Sequence, residues 1–167
     1  TRQTLGSKYP ELRFSFKGAL RSVPYTDYSF LRLRALVRQK IPLHPIGYSW
    51  LLVSGGYIWG RVPFLLLDLH EGSNTYAISR FGYDRLDFYE LVSDRWISTS
   101  FEHHFMGFFL NHIPWVRRLK FRELVGVKVL WGSVSPANLQ VLHTTLPLQG
   151  IGQIPYIEAM VGLENIL

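Results

Sequence analysis

The sequence predicts an all-β fold in which antiparallel strands form part of a transmembrane β-barrel. Hydrophobic and polar residues alternate with a period of two along most of the chain, as in strands with two unlike faces. Hydrophobic residues make up 47% of the 167 residues and charged residues only 18%, a low share for a surface in water. No run approaches the roughly 20 apolar residues of a spanning helix, so a membrane signal would have to be spread over alternating strands.

About six strands are expected, each near the roughly 9–11 residues that cross a bilayer at a tilt. The alternation places them at residues 12–20, 31–40, 48–60, 97–105, 125–131 and 157–164. The clearest example sets Leu31 and Leu33 against Arg32 and Arg34. The whole chain, residues 1–167, is therefore expected to be one partial barrel domain.

The polar faces of these strands are rich in cations, and the apolar faces hold small, β-branched and aromatic residues. The charged positions are Arg13, Lys17, Arg32, Arg34, Arg38, Lys128, Glu102 and Glu158. Neighbouring cations would repel one another unless acids faced them. A water-filled barrel lumen tolerates such a set, whereas the core of a β-sandwich would not.

Two long connections and a set of aromatic residues complete the barrel pattern. Residues 61–94 and 132–155 are expected to be long extracellular loops, because outer-membrane barrels carry long loops on one side and short turns on the other. Aromatic residues near strand ends are typical of the two membrane interfaces. The interfacial candidates are Tyr57, Trp59, Trp96 and Trp131.

No catalytic, metal or cofactor site is expected. Asp68, His70 and Glu71 lie together in the first long loop, but a loop is a poor platform for a rigid hydrolytic triad. His103 and His104 are adjacent on a strand and point to opposite faces, so they cannot share one metal ion. The chain contains no cysteine, which excludes disulfides and thiolate chemistry.

The net charge of +6 raises the question of a polyanionic partner. The densest cationic cluster is Arg117, Arg118, Lys120 and Arg122, which lies close to Trp115. Nucleic-acid binding would need several aromatic residues on the same exposed face, and one Trp is thin support. A turn that is solvated or lies on a surface of anionic lipid is favoured, and no nucleic-acid partner is expected.

A family resemblance also supports the predicted barrel. The segment VPFLLLDLHEGSNTYAISRFGY, residues 62–83, resembles the sixth extracellular loop of the bacterial surface-antigen superfamily of barrels that assemble or translocate outer-membrane proteins. Phe81 is inserted between Arg80 and Gly82, so the strict Arg-Gly tip motif of that superfamily is absent. The sequences FEHHFMGFFLNHIPWVRRLKFRELVGVKVLWGS and PYIEAMVGLENIL resemble a subgroup of uncharacterised outer-membrane proteins with an N-terminal carboxypeptidase-regulatory-like domain.

The resemblance implies a sixteen-stranded barrel to which this chain contributes about six strands. It also implies a loop tip, formed by Arg80, Phe81, Gly82 and Tyr83, that folds into the lumen. There Arg80 would pair with an acid on the barrel wall, and Glu102 and Glu158 are the candidates. Breaking one partner of such a buried pair can cost about 3–5 kcal/mol.

The expected function is that of a non-enzymatic barrel in the bacterial outer membrane that aids outer-membrane protein biogenesis or a secretion complex. The expected partners are outer-membrane lipid and the remaining strands of the barrel, with other outer-membrane or secretion-complex proteins as further candidates. Two alternatives remain open. One is a passive pore or structural scaffold built on the same barrel, and the other is a soluble β-sandwich binding module.

Overall fold

A computed structural model describes residues 9–21, 28–70, 72, 82–87, 90–140, 149–150, 152 and 154–164. Nearly all regular structure in these residues is β-strand, and the six longest strands form one antiparallel sheet. Its strands, in spatial order, are β1 (Glu11–Ala19), β2 (Phe30–Leu43), β3 (Gly47–Trp59), β6 (Arg95–His104), β7 (Arg122–Ser133) and β9 (Tyr156–Glu164). The predicted all-β class and six long strands are confirmed.

Three shorter strands form a second sheet from the long connections. These are β4 (Asp68–Leu69), β5 (Leu91–Ser93) and β8 (Gln149–Gly150), with β5 antiparallel to β4 and parallel to β8. Sequence patterning showed no strands here, because two- and three-residue strands are too short to display a period. The two connections expected as separate loops are therefore joined by backbone pairing.

The remaining regular structure consists of short helical turns. Three are 3-10 turns, at Phe64–Leu66, Leu110–His112 and Val116–Leu119, and one is the α-helical turn α1 (Pro136–Leu139). Among the described residues, no helix has the length and apolar character needed to cross a membrane.

The two faces of the large sheet differ in what lies over them. The first, here called the covered face, carries Arg32, Arg34, Trp96, Lys128 and Glu158 and lies beneath described parts of residues 60–94 and 134–150. Its apolar contacts with these covering segments form two clusters of buried side chains. Their buried members are Ile58, Val62, Leu67, Val92 and Val134 in one, and Tyr83, Leu86 and Leu130 in the other.

The opposite face, here called the outer face, is apolar and has no buried apolar side chain on the described strands. Phe16 on β1, Phe101 on β6 and Val161 on β9 are all exposed, the last by 85%. A soluble sheet normally shows the reverse arrangement, with the apolar face packed and the polar face in water. In this sheet the apolar outer face is exposed, and the covering segments pack on the more polar face.

The two ends of the sheet also differ. At one end, here called the loop end, β3 finishes at Trp59, β6 begins at Arg95, and the covering segments leave the sheet. At the other, here called the turn end, residues 44–46 link β2 to β3, and residues 105–121 link β6 to β7. β1 and β9 are the two edges, and each pairs with one neighbour among the described strands.

Candidate functional site

The candidate site is the layer of polar contacts between the covered face and the covering segments. The sequence places Arg32, Arg34 and Arg38 on one face of β2, where they would repel one another unless acids faced them. The structure shows two such acids. Glu11 on β1 accepts a hydrogen bond from Arg38 Nη2 at 2.5 Å. Asp68, the first residue of β4, reaches Arg34 and Arg32 from above the sheet. The cation ladder is therefore neutralised partly from within the sheet and partly by the covering segment.

Asp68 is the most deeply buried acid of this layer, since only 2% of it is exposed. Its Oδ1 is paired with Arg34 Nη2 and lies 3.7 Å from Arg32 Nε. Its Oδ2 accepts a hydrogen bond from the indole Nε1 of Trp96 at 2.6 Å. One carboxylate thus ties the start of the small sheet to both β2 and β6, and charge-assisted bonds of this kind are the stronger class.

Gly56 on β3 makes room for the Asp68 cluster. A Cβ atom at this position would lie 2.5 Å from Trp96 Nε1 and 2.7 Å from Asp68 Oδ2, closer than real Cβ contacts allow. Gly56 is paired in register with both Arg34 and Trp96, so the sheet has no side chain where the carboxylate enters. The glycine is a requirement of this close approach.

His70 and Ser93 form a buried polar pair in the small sheet. His70 Nε2 and Ser93 Oγ lie 2.7 Å apart and share a hydrogen bond. Burial lowers the pKa of His70 to about 4, while Asp68 opposes that shift and Arg34 adds to it. The ring also meets Trp96 edge-on, with centroids 5.1 Å apart. The histidine is held neutral, and the pair joins the residue after β4 to β5.

A second set of contacts holds the segment 82–85 on β7 and β9. Lys128 Nζ donates to the Gly82 carbonyl at 2.6 Å and to Asp84 Oδ2 at 3.3 Å. The Glu158 carboxylate accepts from the backbone N–H groups of Asp84, at 3.0 Å, and Arg85, at 2.8 Å. A cation and an acid on neighbouring strands therefore bind complementary backbone groups of one short segment.

Tyr83 inserts between these contacts. Its hydroxyl shares a 2.6 Å hydrogen bond with Ser98 on β6, and its ring meets Tyr156 edge-on. Burial is the main cause that raises the pKa of Tyr83, Glu158 adds to the rise, and the bond to Ser98 opposes it. The tyrosine is therefore a neutral anchor that fills the space between the segment and the sheet.

Asn138 braces the loop end. Its Oδ1 accepts from the Val62 N–H at 3.0 Å, and its Nδ2 donates to Asp94 Oδ2 at 2.9 Å. The same Asp94 oxygen accepts the Ser135 N–H at 2.7 Å. The buried amide thus connects the two covering segments and holds α1 beside the start of β6.

A cavity of about 370 Å³ remains between the sheet and the covering segments. Its charged walls are Arg13, Arg34, Arg38, Lys128, Glu11 and Asp68. Cations outnumber acids among these side chains, so the space has a positive character.

The predicted loop tip is described in part. Arg80 and Phe81 lie outside the described residues, so the expected ion pair of Arg80 with Glu102 or Glu158 remains a prediction. Gly82 and Tyr83 do lie on the covered face. Glu158 binds the backbone of the next two residues, whereas Glu102 is buried nearer the turn end, 3.8 Å from His104 Nε2.

The four aromatic residues proposed for the membrane interface fall on two different faces. Tyr57, Trp59 and Trp131 are exposed on the outer face near the loop end. Trp96 lies on the covered face and donates a hydrogen bond to Asp68, so it belongs to the layer of polar contacts beneath the covering segments. Its position was readable from the sequence, because Trp96 has the same parity as Ser98 and Glu102 on one strand.

The two adjacent histidines point to opposite faces. His103 Nδ1 lies 2.8 Å from Ser49 Oγ on the outer face, and His104 stacks on Tyr48 on the covered face. In the described part of the chain, no three histidine, aspartate or glutamate side chains are grouped so as to hold a metal ion. Glu71, considered with Asp68 and His70 for hydrolysis, lies outside the described residues.

Sequence reasoning missed the roles of Asp68, Lys128 and Asn138. Lys128 carried a signal, since it is a single cation within the apolar run of β7. Asp68 also stood out as one acid between leucines, opposite a strand that lacked acids. Asn138 carried no signal, because its partners are 44 and 76 residues away in the chain.

Comparisons with known proteins give a family and no function. No curated protein matches the chain, and no solved structure matches it. Residues 1–137 match the C-terminal domain of a family of unknown function, DUF5686. Because that match covers most of its length, the chain belongs to the DUF5686 family through its C-terminal domain.

Proposed function

We propose that this chain forms part of the wall of a transmembrane β-barrel in the bacterial outer membrane, with the covering segments folded into the lumen. The inverted sheet carries this proposal. Large apolar side chains of the outer face are exposed, whereas Ser100, Glu102, Lys128 and Glu158 on the covered face are buried. That arrangement suits a sheet with lipid outside and a polar interior.

The outer face has the chemistry that lipid contact requires. On the described strands, its fully charged side chains are Arg95, the first residue of β6, and Glu123, the second residue of β7. Charge is thus confined to strand ends, where its cost in a bilayer is smallest. Tyr57, Trp59 and Trp131 cluster near the loop end, as an interfacial girdle would.

Strand length also supports the proposal. The six strands of the large sheet contain 9, 14, 13, 10, 12 and 9 residues. About 9–11 residues are enough to cross a bilayer at the usual tilt. In lipid, the edges of β1 and β9 would need partner strands, because unpaired backbone groups there cost several kcal/mol each. The proposal therefore includes further strands that complete the barrel.

The alternatives fit the geometry less well. A soluble β-sandwich would need a second layer over the outer face, because an apolar patch across six strands far exceeds what soluble monomers expose. A passive open pore is disfavoured by the covering segments, which Asp68, Lys128 and Glu158 hold across the interior. A barrel with an occupied lumen is the function class that the contacts favour.

The biological role proposed for this barrel is to aid outer-membrane protein biogenesis or a secretion complex. Support for the role comes from the resemblance of residues 62–83 to the loop of the assembly and translocation superfamily. The docking of Gly82 and Tyr83 on the covered face is compatible with such a loop. The partners proposed are outer-membrane lipid, the remaining barrel strands and other outer-membrane or secretion-complex proteins.

Membrane fractionation of the full-length protein, followed by gel mobility with and without heating, tests the barrel. Recovery in the outer membrane with a band that shifts on heating is the expected result. Recovery in the soluble fraction would overturn the proposal. Conductance in planar bilayers then separates the occupied barrel from an open pore: little current is expected until Lys128 and Glu158 are both replaced, and a large current in the wild type would favour the pore.

A further inference from the structure

The turn between β6 and β7, residues 105–121, is the most unusual surface outside the covered face. It lies at the turn end and contains two 3-10 turns, Leu110–His112 and Val116–Leu119. Its backbone is folded back on the sheet, because Phe105 N–H donates to the Glu123 carbonyl at 2.9 Å and Leu110 N–H donates to the Glu123 carboxylate. The turn therefore has a defined shape.

This turn exposes large apolar side chains. Trp115 is 88% exposed, the highest value among the described large hydrophobic residues of the chain. Others in the same turn are also exposed: Phe108, Phe109, Ile113 and Leu119. So many exposed apolar side chains within 17 residues mark a contact surface rather than an ordinary solvated turn.

The same turn is cationic and contains no acid. Arg117, Arg118 and Lys120 are exposed, and the sequence from Phe105 to Phe121 holds neither Asp nor Glu. Exposed aromatic and aliphatic residues beside exposed cations are the pattern of segments that lie in the headgroup region of an anionic membrane.

The apolar part of the turn continues the outer face. His103 on the outer face meets Phe105 edge-on at 4.3 Å between ring centroids, and Phe105 lies 5.1 Å from Phe109. Phe109 in turn meets Phe108 at 5.2 Å. A surface that continues past the last residue of a lipid-facing strand lies at the membrane interface if the strand spans the bilayer.

We propose that residues 105–121 bind the anionic phospholipid leaflet at the turn end, with Trp115 and Ile113 in the interface and Arg117 and Arg118 on lipid phosphates. The inference rests on the proposed barrel, and it adds the class of lipid and the segment that recognises it. Each cation contributes about fivefold to the ratio of lipid-bound to free turn, because a cation near an anionic leaflet gains roughly 1 kcal/mol.

The test uses the full-length protein with a polarity-sensitive dye on a cysteine at Pro114→Cys, next to Trp115. Vesicles of phosphatidylcholine alone are compared with vesicles of which a third of the lipid is phosphatidylglycerol, both with brominated acyl chains that quench the dye. Stronger quenching with phosphatidylglycerol, reduced by high salt, is expected for the labelled parent. Equal quenching in both vesicles would overturn the proposal.

A pair of matched variants locates the effect. Replacing Arg117 and Arg118 by Gln should lower the bound-to-free ratio about 25-fold in anionic vesicles. Replacing Arg21 and Arg61 by Gln removes the same charge from exposed positions at the loop end and should leave the ratio unchanged. Equal losses in both pairs, or no loss in the first, would contradict a site in this turn.

The outcome is separable from that of the barrel proposal. The heat-shifted band reports insertion, and the dye reports lipid contact of the turn. A soluble protein whose dye is still quenched by anionic vesicles would support the turn and overturn the barrel. An inserted protein whose dye shows no preference for anionic vesicles would support the barrel and overturn the lipid-binding turn. An oligonucleotide that displaces the vesicles from the turn would count against lipid and in favour of nucleic acid.

If the variant that lacks Arg117 and Arg118 does not give the heat-shifted band, the salt dependence of dye quenching in the labelled parent tests the role of the two arginines. The Debye length falls to about 3 Å at 1 M salt, so quenching that depends on charge should drop to the level in phosphatidylcholine. Quenching that is unchanged by salt would overturn the role of the arginines.

Discussion

Lys128 and Glu158 face each other in register on β7 and β9, yet both bind the segment above them. Lys128 donates to the Gly82 carbonyl, and Glu158 accepts from the Asp84 and Arg85 N–H groups. The sheet thus presents a donor, the Lys128 ammonium, and an acceptor, the Glu158 carboxylate, to complementary backbone groups of residues 82–85. This pair therefore holds the segment 82–85 on the sheet.

Replacing Lys128 by Met should release the segment 82–85. The buried Gly82 carbonyl would lose its donor, which costs about 1–3 kcal/mol. We expect faster protease cleavage within 82–87 while the heat-shifted band is retained. Lys17→Met is the control, because Lys17 is exposed on β1. Equal cleavage rates in Lys128→Met and wild type would show that Lys128 does not hold the segment.

Replacing Asp68 by Asn should destabilise the protein by about 3 kcal/mol, because two arginines lose their compensating charge while the shape is kept. The half-exposed Asp84 provides a comparison, and Asp84→Asn should cost less than about 1 kcal/mol since solvent screens its pair with Lys128. The midpoint temperature of the heat-dependent mobility shift measures both. Similar shifts for the two variants would contradict the structural weight given to Asp68.

Replacing Gly56 by Ala should displace Trp96 or Asp68, because the added Cβ would lie within 2.7 Å of both side chains. We expect a lower midpoint temperature together with a changed tryptophan emission spectrum. Gly18→Ala is the matched control, since its Cβ would lie 3.4 Å from the nearest atom, an ordinary contact. A Gly56→Ala protein with wild-type emission and midpoint would mean that the cluster is looser than described.

Acidification should loosen the small sheet through His70. Its pKa in the fold is about 4, below the ordinary value of 6.5, so the unfolded chain binds the proton more readily. The stabilisation is complete above pH 6.5 and is lost as the pH falls towards 4, by about 3 kcal/mol over the full window.

The variant His70→Gln keeps a hydrogen-bonding group beside Ser93 but does not titrate. Its stability should therefore depend less on pH between 6.5 and 4 than that of the wild type. The exposed His44 gives the control substitution, His44→Gln. An unchanged pH slope in His70→Gln would assign the acid sensitivity to other groups.

The long strands and their two faces could be predicted because they depend on local alternation. A period of two fixes the parity of each side chain, so the positions of Arg32, Lys128 and Glu158 on one face followed from the residues alone. The same rule would have placed Trp96 on the polar face. Its assignment to the membrane interface relied instead on its position near a strand end, which predicts the face less well than parity does. The short strands β4, β5 and β8 could not be predicted, because they form only by pairing with one another.

The sequence by itself determined an all-β chain with about six long strands, an apolar and a polar face, and the absence of thiol chemistry. Only the tertiary structure decided which face is buried and what covers it. The reason is physical: alternation is encoded within a strand, whereas Asp68 meets Trp96, and Lys128 meets Gly82, across 28 and 46 residues of chain. Contacts at such separations depend on the path of the connecting segments, and no local pattern specifies that path.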